Sequence, residues 1–149
     1  MRVLVVYCHP VAENFAAAHQ VVLEAPSAAR HEVTDVDLYA ERFDPVMSRP
    51  ERLHYLDAAR NERLVHHYDD QLARAEALVL LYPAWWYGTP AMLKGYFGPV
   101  WLPGVAFDLV PGWQGRHRFL KQLPRIGVVI ACGGSWWLVA LPSATLPAS

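Results

Sequence analysis

Short apolar runs recur along the chain and predict the strands of a buried sheet. Residues 2–7 read RVLVVY, a continuous β-branched run that is typical of a strand buried on both faces. Runs of the same kind lie at residues 76–82, EALVLLY, and at residues 125–131, RIGVVIA. Residues 32–38 alternate between apolar and polar side chains, which predicts a strand nearer a sheet edge. The pattern therefore predicts four strands.

Segments with helical spacing lie between these strands. Asn14 can cap a helix that continues through FAAAHQVVLEA. Residues 51–75 are charged and helix-prone, and they predict one or two helices. Thr89 is followed by Pro90 at a favoured first helical position, which predicts a further helix through AMLKGYFGPVWL. Loops are predicted at residues 44–50 and 103–124.

The alternation of strands and helices predicts an α/β fold, with a parallel sheet and helices on both of its faces. In such sheets, ligands bind beyond the carboxyl ends of the strands. Three segments follow a predicted strand at that edge, and we expect them to converge on one site: residues 8–15, 83–89 and 132–135.

Composition narrows the classes of function. The 149 residues suit one domain, and a hydrophobic content of 54% is enough for a sizeable core. A net charge of −1 gives no electrostatic case for nucleic acid or an anionic membrane. No signal peptide and no membrane span are recognisable. Two cysteines do not make a disulfide framework, so we expect free thiols and a cytoplasmic protein.

Each of the three strand-end segments also has an ordinary explanation. CHPVAENF leads into a helix whose N-terminus can bind phosphate, but it lacks a glycine-rich cradle, and a capped turn explains it as well. The aromatic rings of PAWWYGTP can wall in a planar heterocycle by stacking, or they can cap the core or fill an interface. The glycines of ACGGSWW permit close backbone approach to a ligand, or only a flexible turn.

Taken together, these segments resemble the flavodoxin-like NAD(P)H:quinone oxidoreductases, the DT-diaphorase-like flavoenzymes. The resemblance covers residues 1 to about 135. It is carried by VVYCHPVAENF and, above all, by LVLLYPAWWYGTPAMLKGYFGPVWLPGVAFD, which is similar to the family pattern Pro-x-x-Trp-x-x-x-Pro-Ala-x-Leu-Lys-Gly. The implied fold is a flavodoxin-like, doubly wound parallel sheet with strand order 2-1-3-4.

The resemblance implies two-electron hydride transfer from NAD(P)H to a quinone-like acceptor through bound FAD or FMN, in a homodimer. The matching positions imply three groups of cofactor-binding residues and no metal ligand, and they leave the catalytic residues unknown. The phosphate and ribityl side would be lined by His9, Glu13, Asn14, Phe15 and Ala16; the isoalloxazine would be bordered by Pro83, Ala84, Trp85, Trp86 and Tyr87; and its other edge would be closed by Cys132, Gly133 and Gly134.

The chain departs from the family pattern most clearly after Gly134. The family's usual Tyr and His after this loop, and its fifth strand, have no match, and residues 126–149 carry no charged side chain. We therefore expect a flavin-binding domain at residues 1–135 and an irregular apolar tail at residues 136–149. The uncharged edge of the fourth strand is expected to favour association. These features also suggest a truncated or frameshifted form.

Two other functions are open from the sequence. The second hypothesis is a flavodoxin-like binding subunit that regulates a partner with little or no catalysis, as the related ancillary subunits of potassium efflux systems do. A defective fragment that holds neither cofactor nor fold is the third hypothesis. Flavin absorbance and NAD(P)H oxidation in the presence of a quinone distinguish the three.

Some polar clusters have simpler explanations than a site. His66 and Asp70 are spaced to touch on a helix, but a solvated helix face explains them better than a metal site. Lys94 is expected to be solvent-exposed. The cluster Arg116, His117 and Arg118 is a possible contact for an NADPH phosphate.

Overall fold

The computed structural model describes residues 1–55, 66–86, 88–101 and 123–134. The strands are Arg2–Tyr7 (β1), Glu32–Asp37 (β2), Ala77–Ala84 (β3) and Arg125–Cys132 (β4). The helices are Ala12–Ala28 (α1), Arg49–Leu53 (α2), His66–Arg74 (α3) and Ala91–Val100 (α4). Among the described residues, no helix combines the length and apolarity needed to cross a membrane.

The four strands form one parallel sheet in the order β2-β1-β3-β4, which confirms the expected fold. β1 lies between β2 and β3, and its Tyr7 is opposite both Asp37 and Leu81. β3 pairs with β4 as far as Ala84, which lies opposite Cys132. Because the strands are parallel, their carboxyl ends meet at one edge of the sheet, where the three predicted loops follow.

Apolar side chains cover both faces of the sheet. Leu4 belongs to the larger core cluster, together with Leu72 of α3 and Leu93 of α4. Val5 belongs to a smaller cluster, against which Leu23 of α1 packs. Because neighbouring residues of a strand point to opposite faces, α1 covers one face, and α3 and α4 cover the other. This confirms the prediction of helices on both faces.

The predicted caps of α1 and α4 are wrong. Val11 is the N-cap of α1, without a side-chain hydrogen bond, and Asn14 instead lies in the first turn, its N–H donating to Val11 O at 3.3 Å. Pro90 is the N-cap of α4 because its ψ of 147° is extended, so the helix begins at Ala91 and Thr89 does not cap it. The start of α1 therefore lies three residues before the predicted one, and the start of α4 lies one residue after it.

Two further boundaries differ from the sequence prediction. Residues 49 and 50, predicted as loop, open α2, and the Ser48 side chain and Glu51 form a capping box at its start. β3 runs on through Pro83 instead of ending at Tyr82, because its pairing with β4 continues opposite Ala131.

The loop after β2 packs tightly on α4. A Cβ built on Gly95 would overlap the side chain and carbonyl oxygen of Pro45, so this position has no room for a side chain. A Cβ built on Gly98, one turn later, would lie 3.4 Å from the terminal methyl of Met47. The contact with Pro45 holds α4, and therefore the loop that precedes it, against the sheet.

β4 lies at the sheet edge opposite β2 in the described part of the chain, and its side chains are partly exposed. Ile126, Val128 and Ile130 share one face and are 52%, 48% and 43% exposed. The predicted tail, residues 136–149, lies outside the described residues.

Candidate functional site

The first strand-end segment fixes the ring of His9 beside the start of α1. His9 Nδ1 lies 2.6 Å from Val11 O and 3.1 Å from Val11 N, so the imidazole is tied to the backbone two residues on. The Nε2 atom has no hydrogen-bond partner within the described ranges. Which nitrogen carries the proton depends on the tautomer.

The first turns of α1 offer backbone donors at the same edge. The first N–H groups of a helix lack partners inside the helix and carry a partial positive charge, which suits an anion. No side chain caps this end of α1. Glu13, Asn14 and Ala16 are exposed here, and Phe15 is half-buried. Glu13 is the exception among them, because its carboxylate would repel a phosphate and is better suited to accept from hydroxyl groups.

The second segment forms a tight bridge at the end of β3. Trp85 N donates to Gly88 O at 3.1 Å, and Gly88 N donates to Trp85 O at 3.0 Å. Trp86 stands at the tip, 98% exposed, with a φ of 50° in the left-handed region. A bulky residue with this φ is strained, and such strain is concentrated at functional sites. Tyr87 lies outside the described residues.

The rings of the first two segments meet. The centroid of His9 lies 5.7 Å from that of Phe15 and 6.4 Å from that of Trp85. Trp85 is 43% exposed, so these rings form a partly open wall at the carboxyl edge of the sheet. Pro83 is buried and Ala84 half-buried behind that wall. The predicted convergence of these two loops is therefore present in the structure.

The third segment lies beside the second through strand pairing. Cys132 pairs with Ala84, and its thiol is free and exposed. A Cβ built on Gly133 or Gly134 would meet no described residue within 4 Å, so the described part of the chain leaves space around both glycines. These residues border the same edge, but no ring contact joins them to His9 in the described part of the chain.

Cys8 is not a candidate nucleophile. It is buried and free. Burial raises the pKa of its thiol to about 11; a backbone hydrogen bond at Leu93 opposes this shift, and the charge of Asp37 adds to it. The neutral thiol behaves as a small apolar side chain of the core.

The His-Asp cluster set aside in the sequence lies partly within the described residues, in α3. Within the described ranges, no group of three His, Cys, Asp or Glu residues can hold a metal ion. Asp70 pairs with Arg74 at 3.7 Å, and His67 lies 3.5 Å from Glu41. Lys94 is exposed, as expected. The cluster of residues 116–118 lies outside the described ranges.

The sequence reasoning missed one pair beside this edge. The rings of Tyr7 and His19 stack at 3.9 Å and are 6° from parallel, and His19 Nε2 lies 2.9 Å from Asp35 Oδ1. No short motif links these positions, because their contact depends on how α1 lies on β1 and β2. A tyrosine that ends an otherwise aliphatic strand is the only signal in the sequence.

Comparisons with known proteins agree with this fold. The sequence model of a family described as having a flavodoxin-like fold matches residues 1–139. An Escherichia coli protein named as an uncharacterized NAD(P)H oxidoreductase is 34% identical over 112 residues, which are 71% of this chain and 55% of that protein. A ribosyldihydronicotinamide dehydrogenase [quinone] of Pongo abelii is 30% identical over 144 residues, 85% of this chain and 62% of that protein.

A solved structure is similar over most of the chain. The NAD(P)H:quinone oxidoreductase of Methanothermobacter marburgensis matches with a TM-score of 0.79 and 26% identity, over 94% of this chain and 71% of that one. The chain spans 55% and 62% of the length of the two curated relatives described above.

Proposed function

The chain belongs to the flavodoxin-like family that includes NAD(P)H:quinone oxidoreductases, and from that membership we propose that it is a flavin-dependent NAD(P)H:quinone oxidoreductase. The observation that carries the proposal is the contact of His9 with both Phe15 and Trp85. It joins a helix N-terminus suited to a phosphate and an aromatic wall suited to a planar ring at one edge of the sheet.

The residues at this edge fit a flavin. The uncapped N-terminus of α1 would bind the phosphate, with the side chain of Asn14 as a donor and His9 Nε2 as a second donor when that nitrogen carries a proton, and Glu13 would accept from ribityl hydroxyls. Trp85, Trp86 and Tyr87 would border the isoalloxazine in front of Pro83 and Ala84. Cys132, Gly133 and Gly134 would close the other edge, where the open space around the glycines admits a ligand.

A bound flavin would supply two-electron hydride transfer from NAD(P)H to a quinone-like acceptor. The chain's own part is to bind and orient the ring and to exclude water from one side of it. We assign proton transfer to no described side chain. The thiol of Cys8 is neutral and buried, and His9 is proposed to bind the phosphate.

The finer features of the proposal follow from surface chemistry. We propose a homodimer, because the exposed ring of Trp86 and the apolar face of β4 would gain from being covered. A cytoplasmic location is supported by the two free thiols, Cys8 and Cys132. A regulatory subunit without catalysis is not favoured, since the relatives above carry the names of oxidoreductases and quinone dehydrogenases.

The proposal is tested by oxidation of NADH and NADPH by the purified full chain, with and without a quinone. We expect bound flavin and oxidation that requires the quinone. Bound flavin without any oxidation would contradict the enzymatic role and leave the binding role. A chain that takes up neither FAD nor FMN would contradict both.

A further inference from the structure

A cavity separate from the candidate site lies at the opposite edge of the sheet, between α3 and the first residues of β1 and β2. Its volume is about 340 Å³, within the range of small-molecule sites, about 300–1,000 Å³. Arg2, Glu32 and Gln71 lie along it. The six residues of β1 separate this cavity from the carboxyl edge, so a ligand here would be independent of the proposed flavin.

The wall that α3 gives the cavity is polar. Four residues of α3 lie along the cavity, at a spacing of three or four positions that places them on one side of the helix: His67, Asp70, Gln71 and Arg74. Leu72 of the same helix packs in the core instead. Solvation alone would explain a polar helix flank, but it does not explain two opposite charges that stay apart or a buried acceptor without a partner.

The two opposite charges are those of Arg2 and Glu32. These residues lie directly opposite each other in the pairing of β1 with β2, so their side chains are on the same face of the sheet. The Arg2 side chain nevertheless makes other contacts: its Nε donates to Arg74 O at 2.6 Å, and its guanidinium lies 4.0 Å from the Glu76 carboxylate. Within the described ranges, the carboxylate of Glu32 has no hydrogen bond or ion pair. The cavity therefore offers a positive and a negative group that do not neutralise each other.

Gln71 carries the buried acceptor. Its amide oxygen, Oε1, is buried and has no hydrogen-bond partner among the residues that the structure describes, whereas Gln71 as a whole is half-buried. A buried oxygen without a partner costs free energy, and an N–H donor of a ligand would remove that cost. Together with the Glu32 carboxylate, this oxygen suits an ammonium group, which has three N–H donors and no acceptor.

The inner side of the cavity is apolar. Leu4 of β1 and Ala75, which follows α3, lie along it and belong to the larger core cluster. They offer aliphatic contact to a short hydrocarbon chain. A simple anion would be repelled by Glu32, and a simple cation would be repelled by Arg2. The lining therefore suits a small ligand that carries both charges and an apolar part.

We propose that this cavity binds the zwitterion of an α-amino acid with an aliphatic side chain. The carboxylate of the amino acid accepts from the Arg2 guanidinium, and its ammonium group donates to Gln71 Oε1 and to Glu32. Its aliphatic side chain lies toward Leu4. Hydrogen bonds that involve charged groups are stronger than neutral ones, so a few of them are enough to hold a small ligand.

Two methionine substitutions form a matched pair for the test. Arg2→Met removes the guanidinium at the cavity and keeps an unbranched stem, whereas Arg49→Met makes the same change at an exposed residue of α2 that does not line the cavity. Gln71→Leu removes the amide and keeps a side chain of similar size. Because the lost oxygen is buried without a partner, Gln71→Leu should not lower the free energy of unfolding, which urea unfolding measures.

The experiment is calorimetric titration of the purified full chain and its variants with three probes: L-leucine; isocaproate, which lacks the ammonium group; and leucinamide, which lacks the carboxylate. The wild type should bind L-leucine at least about tenfold more tightly than either other probe, since each of these loses a hydrogen bond to a charged group. Arg2→Met should weaken the binding of L-leucine about tenfold or more, and Gln71→Leu should weaken it about two- to tenfold. Arg49→Met should bind L-leucine as the wild type does.

The proposal is overturned if the wild type does not bind L-leucine. It is also overturned if isocaproate or leucinamide binds as tightly as L-leucine, because the cavity would then recognise one charge only. Equal binding of L-leucine by Arg2→Met and Arg49→Met would overturn it as well. If a variant fails to fold, the comparison of the three probes on the wild type decides alone. None of these outcomes bears on the flavin, whose proposed site lies at the other edge of the sheet.

Discussion

The imidazole of His9 and the indole of Trp85 lie 6.4 Å apart, centroid to centroid, with their planes tilted by 58°. These residues are 76 positions apart in the chain, yet each follows directly on a strand of the same parallel sheet. Their contact shows that the loops after β1 and β3 share one edge. The predictions below concern this edge and the packing that supports it.

The indole of Trp86 is expected to contribute to flavin binding and not to the stability of the fold. Trp86→Ala should change the free energy of unfolding by less than about 0.5 kcal/mol, because the side chain is 98% exposed. The same change should weaken flavin binding about two- to tenfold, from the loss of about 0.5–1.5 kcal/mol of aromatic stacking. Urea unfolding and flavin titration measure the two effects.

Val46→Ala serves as the control, since Val46 is 73% exposed and lies in the loop after β2. It should change neither quantity. A large loss of stability in Trp86→Ala with unchanged flavin binding would show that the ring belongs to the core.

The left-handed backbone of Trp86 predicts a difference between two small residues at this position. Trp86→Gly should be more stable than Trp86→Ala by about 1 kcal/mol, because glycine adopts a φ of 50° without the steric penalty that alanine meets. Parallel urea unfolding of both variants measures the difference. Equal stabilities would mean that residue 86 leaves the left-handed region once the indole is gone.

The two glycines of α4 should differ in how much an alanine substitution changes the free energy of unfolding. Gly95→Ala should lower the free energy of unfolding by about 1–3 kcal/mol, because its methyl group would overlap the Pro45 backbone. Gly98→Ala is the matched control in the same helix. Its methyl would lie 3.4 Å from the flexible end of Met47, and the variant should be close to neutral, because the helix propensity gained with alanine is offset by crowding against Pro99. Similar losses in the two variants would contradict the tight contact with Pro45.

The carboxyl group of Asp69 predicts a dependence of stability on pH. Burial, followed by the charge of Asp70, raises its pKa to about 7 from 3.8. The folded state therefore favours the protonated form, and this contribution to stability is complete below pH 3.8 and is lost as the pH rises to about 7. Asp69→Asn should thus gain stability relative to the wild type across that window and keep the gain at higher pH.

Urea unfolding at several pH values between 4 and 8 tests this expectation. Glu32→Gln, at an exposed carboxylate on β2, is the control and should follow the wild type. Parallel curves for wild type and Asp69→Asn would contradict the raised pKa.

Much of the sheet is predictable from the sequence, and the reason is local. The run at residues 2–7 coincides with β1. Its β-branched side chains favour an extended backbone, and a continuous apolar run is typical of a strand that is buried on both faces. The end of β3 is not predictable in the same way. Pro83 suggests a loop, but pairing with Ala131 keeps it in the sheet.

In the candidate site, too, some features are predictable from the sequence and others are not. Its position follows from the parallel topology, and the segments around His9 and Trp85 could be placed at one edge in advance. The left-handed conformation of Trp86, the uncapped start of α1 at Val11 and the stacking of Tyr7 on His19 could not. Each depends on how elements distant in the chain fit together, which no short motif records.

The central claim is that the edge formed by His9, Phe15 and Trp85 holds a flavin. Its most direct test is the visible absorbance of the purified full chain, with mass identification of any molecule released on denaturation. The account predicts a flavin spectrum and a released mass equal to that of FAD or FMN. A colourless protein that releases neither molecule, and that takes up neither when each is added, would contradict it.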